Sequence, residues 1–408
     1  MERIRRLVSL LGVPQHRFAS IHVVGTNGKS SVAEMTAALL EAHGKRSGAY
    51  LSPHIERWSE RIRIGGAEIG PDELATSVER VAQSVEVVNR TLEEDEAVTQ
   101  FEAVTAAAFV ALAAAGVEFG VIEAGLGGRL DATNVLPSRV TALTSVGLEH
   151  TQWLGETEEQ IAAEKLAVLR DHSTLVLGRV AEGVRKLAER AAAQRNARLV
   201  IAGELGSGSP LAVPGAYARR NFAVAIGAAQ AAIGRLDPER TRSIAETIEL
   251  RGRMQLVGGA PPLLLDAAHN PDGARALAEA LPEAVGEARV IACLAILTDK
   301  DAYRILAALA PLLDAAVCTE LPSERLARAG RAETRSFEAS RLAQTARAAG
   351  VPYAEAIPEP NAALERALEL AGERDGVTLV SGSHYLLGYA ASVTPDRADG
   401  STTEQRRR

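Results

Sequence analysis

Strand-like and helix-like spacings of apolar residues alternate along almost the whole chain. Positions 21–24 are four β-prone residues in succession, the pattern of a short buried strand. Behind them Val32, Met35, Thr36, Leu39 and Leu40 recur at helical spacing, which predicts a helix over 32–43. A short amphipathic helix and loop, 1–18, lead into that first strand. The alternation then repeats: a strand from 48 running into a polar loop at 52–54, a short alternating segment at 60–65, a charged amphipathic helix at 71–92, and a very apolar helix opening at 99–109. Residues 119–123 give a buried-strand pattern ending in an acid, 140–146 the next strand, and 161–165 open a helix beyond it. Further strands fall at 174–177 and 199–201, and an alanine-rich helix begins at 219 and ends near 235.

A glycine between two arginines, Arg251-Gly252-Arg253, interrupts the pattern, and we place a domain boundary there, dividing 1–250 from 251–394. The second half alternates cleanly. Strands are predicted at 263–266, 289–296, 315–319, near 353–357 and at 377–381, with helices at 272–281, 301–313, 338–349 and 361–372. Strands alternating with helices build a parallel sheet with helices on both faces, so the expected class is α/β in two domains, the second the smaller. Residues 395–408 are polar and charged and are expected to be disordered.

A length of 408 residues fits two cores better than one, and 47% hydrophobic with 24% charged residues is a globular composition. The net charge of −7 argues against a general nucleic-acid binder. No run of about 18 apolar residues exists, so no membrane span is expected. The start, Met1-Glu2-Arg3-Ile4-Arg5-Arg6, lacks the apolar core of a signal peptide. Cys293 and Cys318 fall in apolar strand-like runs and read as reduced core residues of a cytoplasmic protein.

The candidate chemistry begins where the first strand ends. Gly25 and Gly28 mark a tight turn, followed by Lys29-Ser30 and a helix. Strand, glycine loop and helix N-terminus form a holder for polyphosphate, because loop and first-turn amides point at the anion. Lys29 would neutralise the β- and γ-phosphates, and Ser30 would offer its hydroxyl to Mg²⁺. The loop is shorter than the general phosphate-loop pattern, with Val23 at that pattern's first glycine. The strand and helix on either side favour phosphate binding over a plain glycine turn. Glu123 ends its strand nearby, where acids hold Mg²⁺ directly or through water. A glycine-rich turn at 125–131 follows, and the 140–146 strand leads to Gly147-Leu148-Glu149-His150. Glu123, His150 and Lys165 thus lie at strand or helix ends, which form the ligand crevice of an open α/β sheet.

Taken together these stretches resemble folylpolyglutamate synthase, often bifunctional with dihydrofolate synthase, in the Mur ligase superfamily. The superfamily signals are Gly25-Thr26-Asn27-Gly28-Lys29-Ser30, Glu123, His150, Lys165, Asn221, Arg253 and 266–271. The folate-branch signals are Leu51-Ser52-Pro53-His54, 60–62, Phe101-Glu102, 123–134, 298–301 and 381–386. The resemblance implies an N-terminal P-loop-type ATPase domain with a mostly parallel sheet and a smaller C-terminal Rossmann-like domain. It implies an ATP-dependent ligase that adds L-glutamate to a folate, and also to dihydropteroate, through an acyl phosphate with release of ADP and phosphate. By resemblance Gly25, Thr26, Asn27, Gly28, Lys29, Ser30 and Ser31 hold ATP, and Asn221, Arg253, Asp266 and His269 contact the nucleotide. Ser30, Glu123, His150 and Lys165 serve two Mg²⁺ ions, Lys165 as a carbamylated lysine; Lys29, His150, Lys165 and His269 form the catalytic set. Ser52, Pro53, His54, Phe101 and Glu102 fall where the pterin-bearing substrate is handled. The implied partners are these small molecules, with no nucleic acid and no membrane, and a monomer is expected. Because Arg253, Asp266 and His269 follow the boundary, the full set is expected to form on domain closure.

Three positions depart from the family. Ser30-Ser31 replaces Gly-Ser, leaving open which serine supplies the metal hydroxyl; Ala267 replaces a glycine; His384 replaces a leucine. Each residue also has a plainer reading. Lys165 alone would be a solvated helix lysine. His150 alone would be structural, although neutral imidazole is a good metal ligand. Glu123 could cap a turn, Arg251 and Arg253 could be surface charges, and Asn270-Pro271 could be an N-cap and first helical residue. His22 and His43 are read as structural. The competing functions are a sibling ligase of cell-wall precursors, against which the 51–62 segment argues, and a nucleotide binder without catalysis. Intact Lys29, Glu123, His150 and Lys165 argue against the latter.

Overall fold

The computed structural model describes residues 1–93, 96–206, 208–328 and 333–390. The polar tail expected at 395–408 lies outside them. The chain divides into two compact units, one spanning Met1–Leu250 and the other beginning at Arg251. No helix among the described residues is long and apolar enough to cross a membrane.

The first unit is built on an eight-stranded sheet. Its strands are β1 (Ala19–Val24), β2 (Ser47–Tyr50), β3 (Ile62–Ile64), β4 (Ala67–Glu68), β5 (Phe119–Glu123), β6 (Val140–Leu143), β7 (Thr174–Leu177) and β8 (Arg198–Ile201), ordered β4-β3-β2-β5-β1-β6-β7-β8. All neighbours are parallel except β2 with β3 and β3 with β4. β1 lies inside the sheet and is buried along nearly all its length, which is why it lacks polar alternation. Val23 pairs with Glu123 on one side and Val24 with Leu143 on the other. That register brings the loop after β1, the acid ending β5 and the segment after β6 to one edge. The helices Lys29–Ala42 and Ala216–Ile233 pack together over the sheet. Glu2–Leu10, Pro71–Asn89 and Gln100–Ala114 form another layer, burying Leu7, Val81 and Phe109 with Tyr50, Ile62 and Ile122.

The second unit carries β9 (Gln255–Val257), β10 (Leu263–Leu265), β11 (Arg289–Leu294), β12 (Ala315–Cys318), β13 (Ala354–Ala356) and β14 (Gly376–Ser381), ordered β13-β12-β11-β14-β10-β9. Only β9 runs antiparallel. Cys293 and Cys318 are free, buried thiols on β11 and β12.

Two differences from the sequence reading matter to the site. The strand predicted to 146 stops at Leu143, because Thr144 and Ser145 turn their hydroxyls to the phosphate loop. The helix predicted to open at 161 begins at Glu158, where Thr157 and Gln160 form a capping box. Lys165 therefore falls in its last turn.

Candidate active site

β1 cannot continue past Val24. A Cβ at Gly25 would fall 1.9 Å from Thr144 Oγ1, and one at Gly28, where φ is 83°, would fall 2.5 Å from Asn221 Oδ1. Only glycine fits at either position. Between them the loop is fastened to the segment after β6. Thr26 N–H donates to Ser145 O at 2.9 Å, Asn27 N–H to Ser145 Oγ at 3.0 Å, and the Thr144 hydroxyl to Asn27 O at 2.6 Å. Gly28 starts the helix Lys29–Ala42 without a side-chain cap, so the first-turn amides keep their capacity for an anion.

Two lysines hold the loop's carbonyls. Lys29 Nζ donates to Thr26 O at 3.0 Å, and Lys165 Nζ donates to Gly25 O at 2.8 Å. Lys165 is 3% exposed, so it is not a solvated helix lysine. Burial, assisted by the charge of Lys29, pulls its ammonium down to about 7, with Glu149 and Asp131 pulling the other way. A large share of this amine is therefore unprotonated near neutral pH.

Glu123 is buried at the end of β5. Its Oε1 accepts from Ser30 Oγ at 3.0 Å and its Oε2 from Ser52 N–H at 2.9 Å. Ser30 is the serine that faces the acid; Ser31 is turned into the core, where its Oγ has no hydrogen-bond partner. A hydroxyl and a carboxylate side by side at a phosphate loop are hard oxygen donors of the kind Mg²⁺ takes. Among the described residues no three His, Cys, Asp or Glu side chains cluster as a metal cage. A metal here would rely on Ser30, Glu123 and phosphate oxygens, as Mg²⁺ commonly does. His150 follows β6 in the left-handed conformation, φ 51°, at the start of the short helix Thr151–Leu154, with Nε2 3.9 Å from Glu149.

The segment after β2 is a closed loop, its ends joined by Leu51 N–H to Arg61 O at 2.8 Å. Pro53 follows Ser52 through a cis peptide. The Glu60 carboxylate accepts the N–H groups of Ile55, Glu56 and Arg57 at 2.7, 3.0 and 2.8 Å. Arg61 Nε donates to His54 Nδ1 at 2.9 Å, which puts the His54 proton on Nε2. The Arg61 guanidinium lies 4.5 Å over the Trp58 ring, itself 4.5 Å from the His54 ring. Phe101 packs 6.4 Å from the Tyr50 ring and lies against Gly125. Glu102 is occupied locally: it closes the capping box with Thr99 and pairs with Arg3 at 3.1 Å.

In the second unit Asp266 is buried and accepts Met254 N–H at 3.0 Å and Ala268 N–H at 2.9 Å. Burial raises its carboxyl above the usual range against the opposing charge of Arg253. His269 Nδ1 donates to Ala267 O at 2.9 Å. The His384 ring lies beside it, tilted by 53° with the centroids 5.2 Å apart. Asn270 caps the helix Pro271–Val285 through Gly273 N–H, with Pro271 in its first turn.

Sequence reasoning missed the parts played by Thr144, Ser145, Glu60 and Arg61. A polar Thr-Ser pair closing an apolar strand was the available signal for the first two. The others were visible only as neighbouring charges in a motif.

Residues 23–204 match the Mur ligase middle domain and residues 252–384 the Mur ligase glutamate ligase domain. The dihydrofolate synthase/folylpolyglutamate synthase of Mycobacterium tuberculosis is 33% identical over 366 residues, covering 80% of this chain and 75% of that protein. The crystal structure of the M. tuberculosis folylpolyglutamate synthase with ADP and AMPPCP superposes with a TM-score of 0.87 at 29% identity, over 96% of this chain and 95% of that one. The bifunctional enzyme of Yersinia pestis, complexed with AMPPNP and a Mn ion, gives 0.80 at 29% identity over 96% and 92%. A glycine loop fastened to the segment after β6, a buried acid facing its serine, and this likeness along both units place the chain in the folylpolyglutamate synthase/dihydrofolate synthase family of Mur ligases.

Proposed function

We propose that the protein joins L-glutamate to a reduced folate, and to dihydropteroate, with ATP cleaved to ADP and phosphate. The observation that carries this reading is the double attachment of Glu123: one oxygen to Ser30 at the phosphate loop, the other to Ser52 in the 51–61 loop. A single carboxylate thus ties the nucleotide-holding element to the element that bears the folate-branch motif.

In this reading the loop amides and Lys29 hold the β- and γ-phosphates. The acceptor carboxylate attacks the γ-phosphorus and ADP leaves, giving an acyl phosphate. The glutamate amine then adds to that carbonyl, the tetrahedral adduct collapses, and phosphate leaves with a proton lost from nitrogen. Such chemistry asks mainly for positioning and charge neutralisation. Ser30, Glu123, His150 and Lys165 are the residues that would hold two Mg²⁺ ions, which would supply Lewis acidity toward the phosphoryl oxygens when bound. The unprotonated share of Lys165 suits reaction with CO₂, and the resulting carbamate would offer a negative oxygen where an ammonium would repel the metal. By the family resemblance Asn221 in the first unit, and Arg253, Asp266 and His269 in the second, would each serve the nucleotide; Ser52, Pro53, His54 and Phe101 would take the pterin side. We place the protein in the cytoplasm as a monomer.

The test is product analysis with a panel of acceptors. Glutamate-dependent release of ADP with tetrahydrofolate or dihydropteroate supports the reading. AMP and pyrophosphate would rule out the acyl-phosphate route, and turnover with a uridine-nucleotide acceptor alone would assign the cell-wall branch instead.

A further inference from the structure

We propose that His22, read from the sequence as a structural histidine, is a positioning residue for the acceptor side of the site, acting through Thr133 and Asp131 on the glycine-rich loop 125–131. His22 lies on β1, three residues before Gly25, and is fully buried. Its Nε2 is 2.7 Å from Thr133 Oγ1. The Thr133 hydroxyl donates to Asp131 Oδ1, so its oxygen is the acceptor and His22 donates from Nε2. Burial pulls the His22 imidazolium down to about 3, which keeps the ring neutral across the working pH range. Asp131, also buried, accepts Thr133 N–H at 3.0 Å and Leu126 N–H at 2.8 Å. One carboxylate therefore ties the loop's beginning to its end, and His22 steadies that tie from the strand that carries the phosphate loop.

The loop so held touches two site residues. A Cβ at Gly125 would meet the Phe101 ring at 2.4 Å, and one at Gly128 would meet the carbonyls of Glu164 and Lys165 at 2.6 and 2.8 Å. The loop is wedged between Phe101 and the backbone of Lys165, and its position limits where the Phe101 ring can lie.

A histidine kept only to fill the core would be an odd choice here. His22 Nδ1 has no hydrogen-bond partner; nor do Thr141 Oγ1, its register partner on β6, and Ser20 Oγ, two residues earlier on β1. A buried imidazole with one nitrogen unpaired is less stabilising than an apolar side chain of similar size. Glu123, by contrast, is fixed without this network, by its pairing with Val23 and its bonds from Ser30 and Ser52. Loss of the network should therefore fall on the acceptor and spare the nucleotide.

The inference rests on the ligase reading above. Its test compares full-length wild type with His22→Leu, Thr133→Val, the double variant and His22→Gln, by thermal melting and by kinetics with tetrahydrofolate, ATP and glutamate. We expect His22→Leu and Thr133→Val each to raise the acceptor KM by about tenfold, with kcat and the ATP KM within about threefold. The double variant should be no worse than either single, because all break one chain. His22→Gln, whose amide can donate from near the Nε2 position, should recover most of the affinity. His22→Leu should melt no lower than wild type. A lowered melting temperature with an unchanged acceptor KM, or additive effects in the double variant, overturns the proposal. If His22→Leu does not fold, Thr133→Val and His22→Gln decide between the same outcomes. A wild type that turns over no folate acceptor refutes the ligase reading instead, which is a separate result.

Discussion

Ser30 donates its hydroxyl to Glu123 across 3.0 Å, joining the first turn of the helix behind the phosphate loop to the end of a strand 93 residues later. The contact exists because β1 and β5 are parallel neighbours, with Val23 opposite Glu123. Ser31, one residue on, points into the core instead. The helix geometry thus selects one of two adjacent serines for the acid, which the sequence left open.

The first prediction follows from that selection. Ser30→Ala should raise the Mg²⁺ concentration needed for half-maximal turnover by about tenfold, the equivalent of roughly 1.4 kcal/mol. Ser31→Ala should leave it unchanged and gain up to about 1 kcal/mol of stability by removing an unpaired buried hydroxyl. Magnesium titrations of ADP release and denaturant unfolding of the two variants check this. The reverse pattern would transfer the metal role to Ser31.

A second prediction concerns the 51–61 loop. Glu60, itself buried, accepts three successive backbone N–H groups of the turn and so holds its shape. Hydrogen bonds to charged acceptors are worth about 1.5–3 kcal/mol each, so Glu60→Ala should unfix the loop. We expect a rise of at least about tenfold in the acceptor KM, with ATP binding to the isolated enzyme little changed. Equal loss of ATP affinity would mean that the loop holds the nucleotide as well.

Much of this was legible in the sequence because period and punctuation agree. The parallel sheets followed from alternation, and the phosphate loop from Gly25, Gly28 and Lys29. The limits lay where tertiary contacts override local pattern. The polar pair Thr144-Ser145 signals that the strand closes there, but nothing local says that their hydroxyls bind a loop more than 100 residues earlier. The Thr99-x-x-Glu102 spacing before an apolar run is a capping-box signature that went unread beside the folate-branch motif, and nothing near it says that the acid also binds Arg3. Without its neighbours and the family resemblance Lys165 reads as a solvated helix lysine, since the Gly25 carbonyl that its buried ammonium bonds lies 140 residues away.

The capping box at Thr99 gives a third prediction, local in scope. Thr99 Oγ1 accepts Glu102 N–H, and the Glu102 carboxylate returns to Thr99 N–H. Thr99→Ala should lower unfolding free energy by about 1 kcal/mol, as loss of such caps commonly does. Chemical denaturation measures it, and an unchanged midpoint would show that Arg3 alone keeps Glu102 in place.

Lys165 gives the fourth. Its amine titrates near 10.5 when free and near 7 in the folded protein, with burial as the main cause and Lys29 next. The unfolded chain therefore binds this proton more tightly than the native one. The resulting destabilisation is fully present below about pH 7, shrinks as pH rises toward 10.5, and vanishes above it. In CO₂-free buffer, Lys165→Met should be more stable than wild type at pH 6 to 7, with the two converging by about pH 10. If Lys165 works as the carbamate proposed above, the same shift sets its activation, since only the free amine reacts with CO₂: enzyme stripped of CO₂ should then regain activity on adding bicarbonate at pH 8 and much less at pH 6. Lys165→Ala should lose most activity and recover part with acetate, which can supply a negative oxygen in the space left by the side chain. Lys165→Arg should stay inactive with acetate or without, because guanidinium keeps its charge and cannot form a carbamate. Full activity in Lys165→Arg would make Lys165 an ordinary cation that only holds the Gly25 carbonyl.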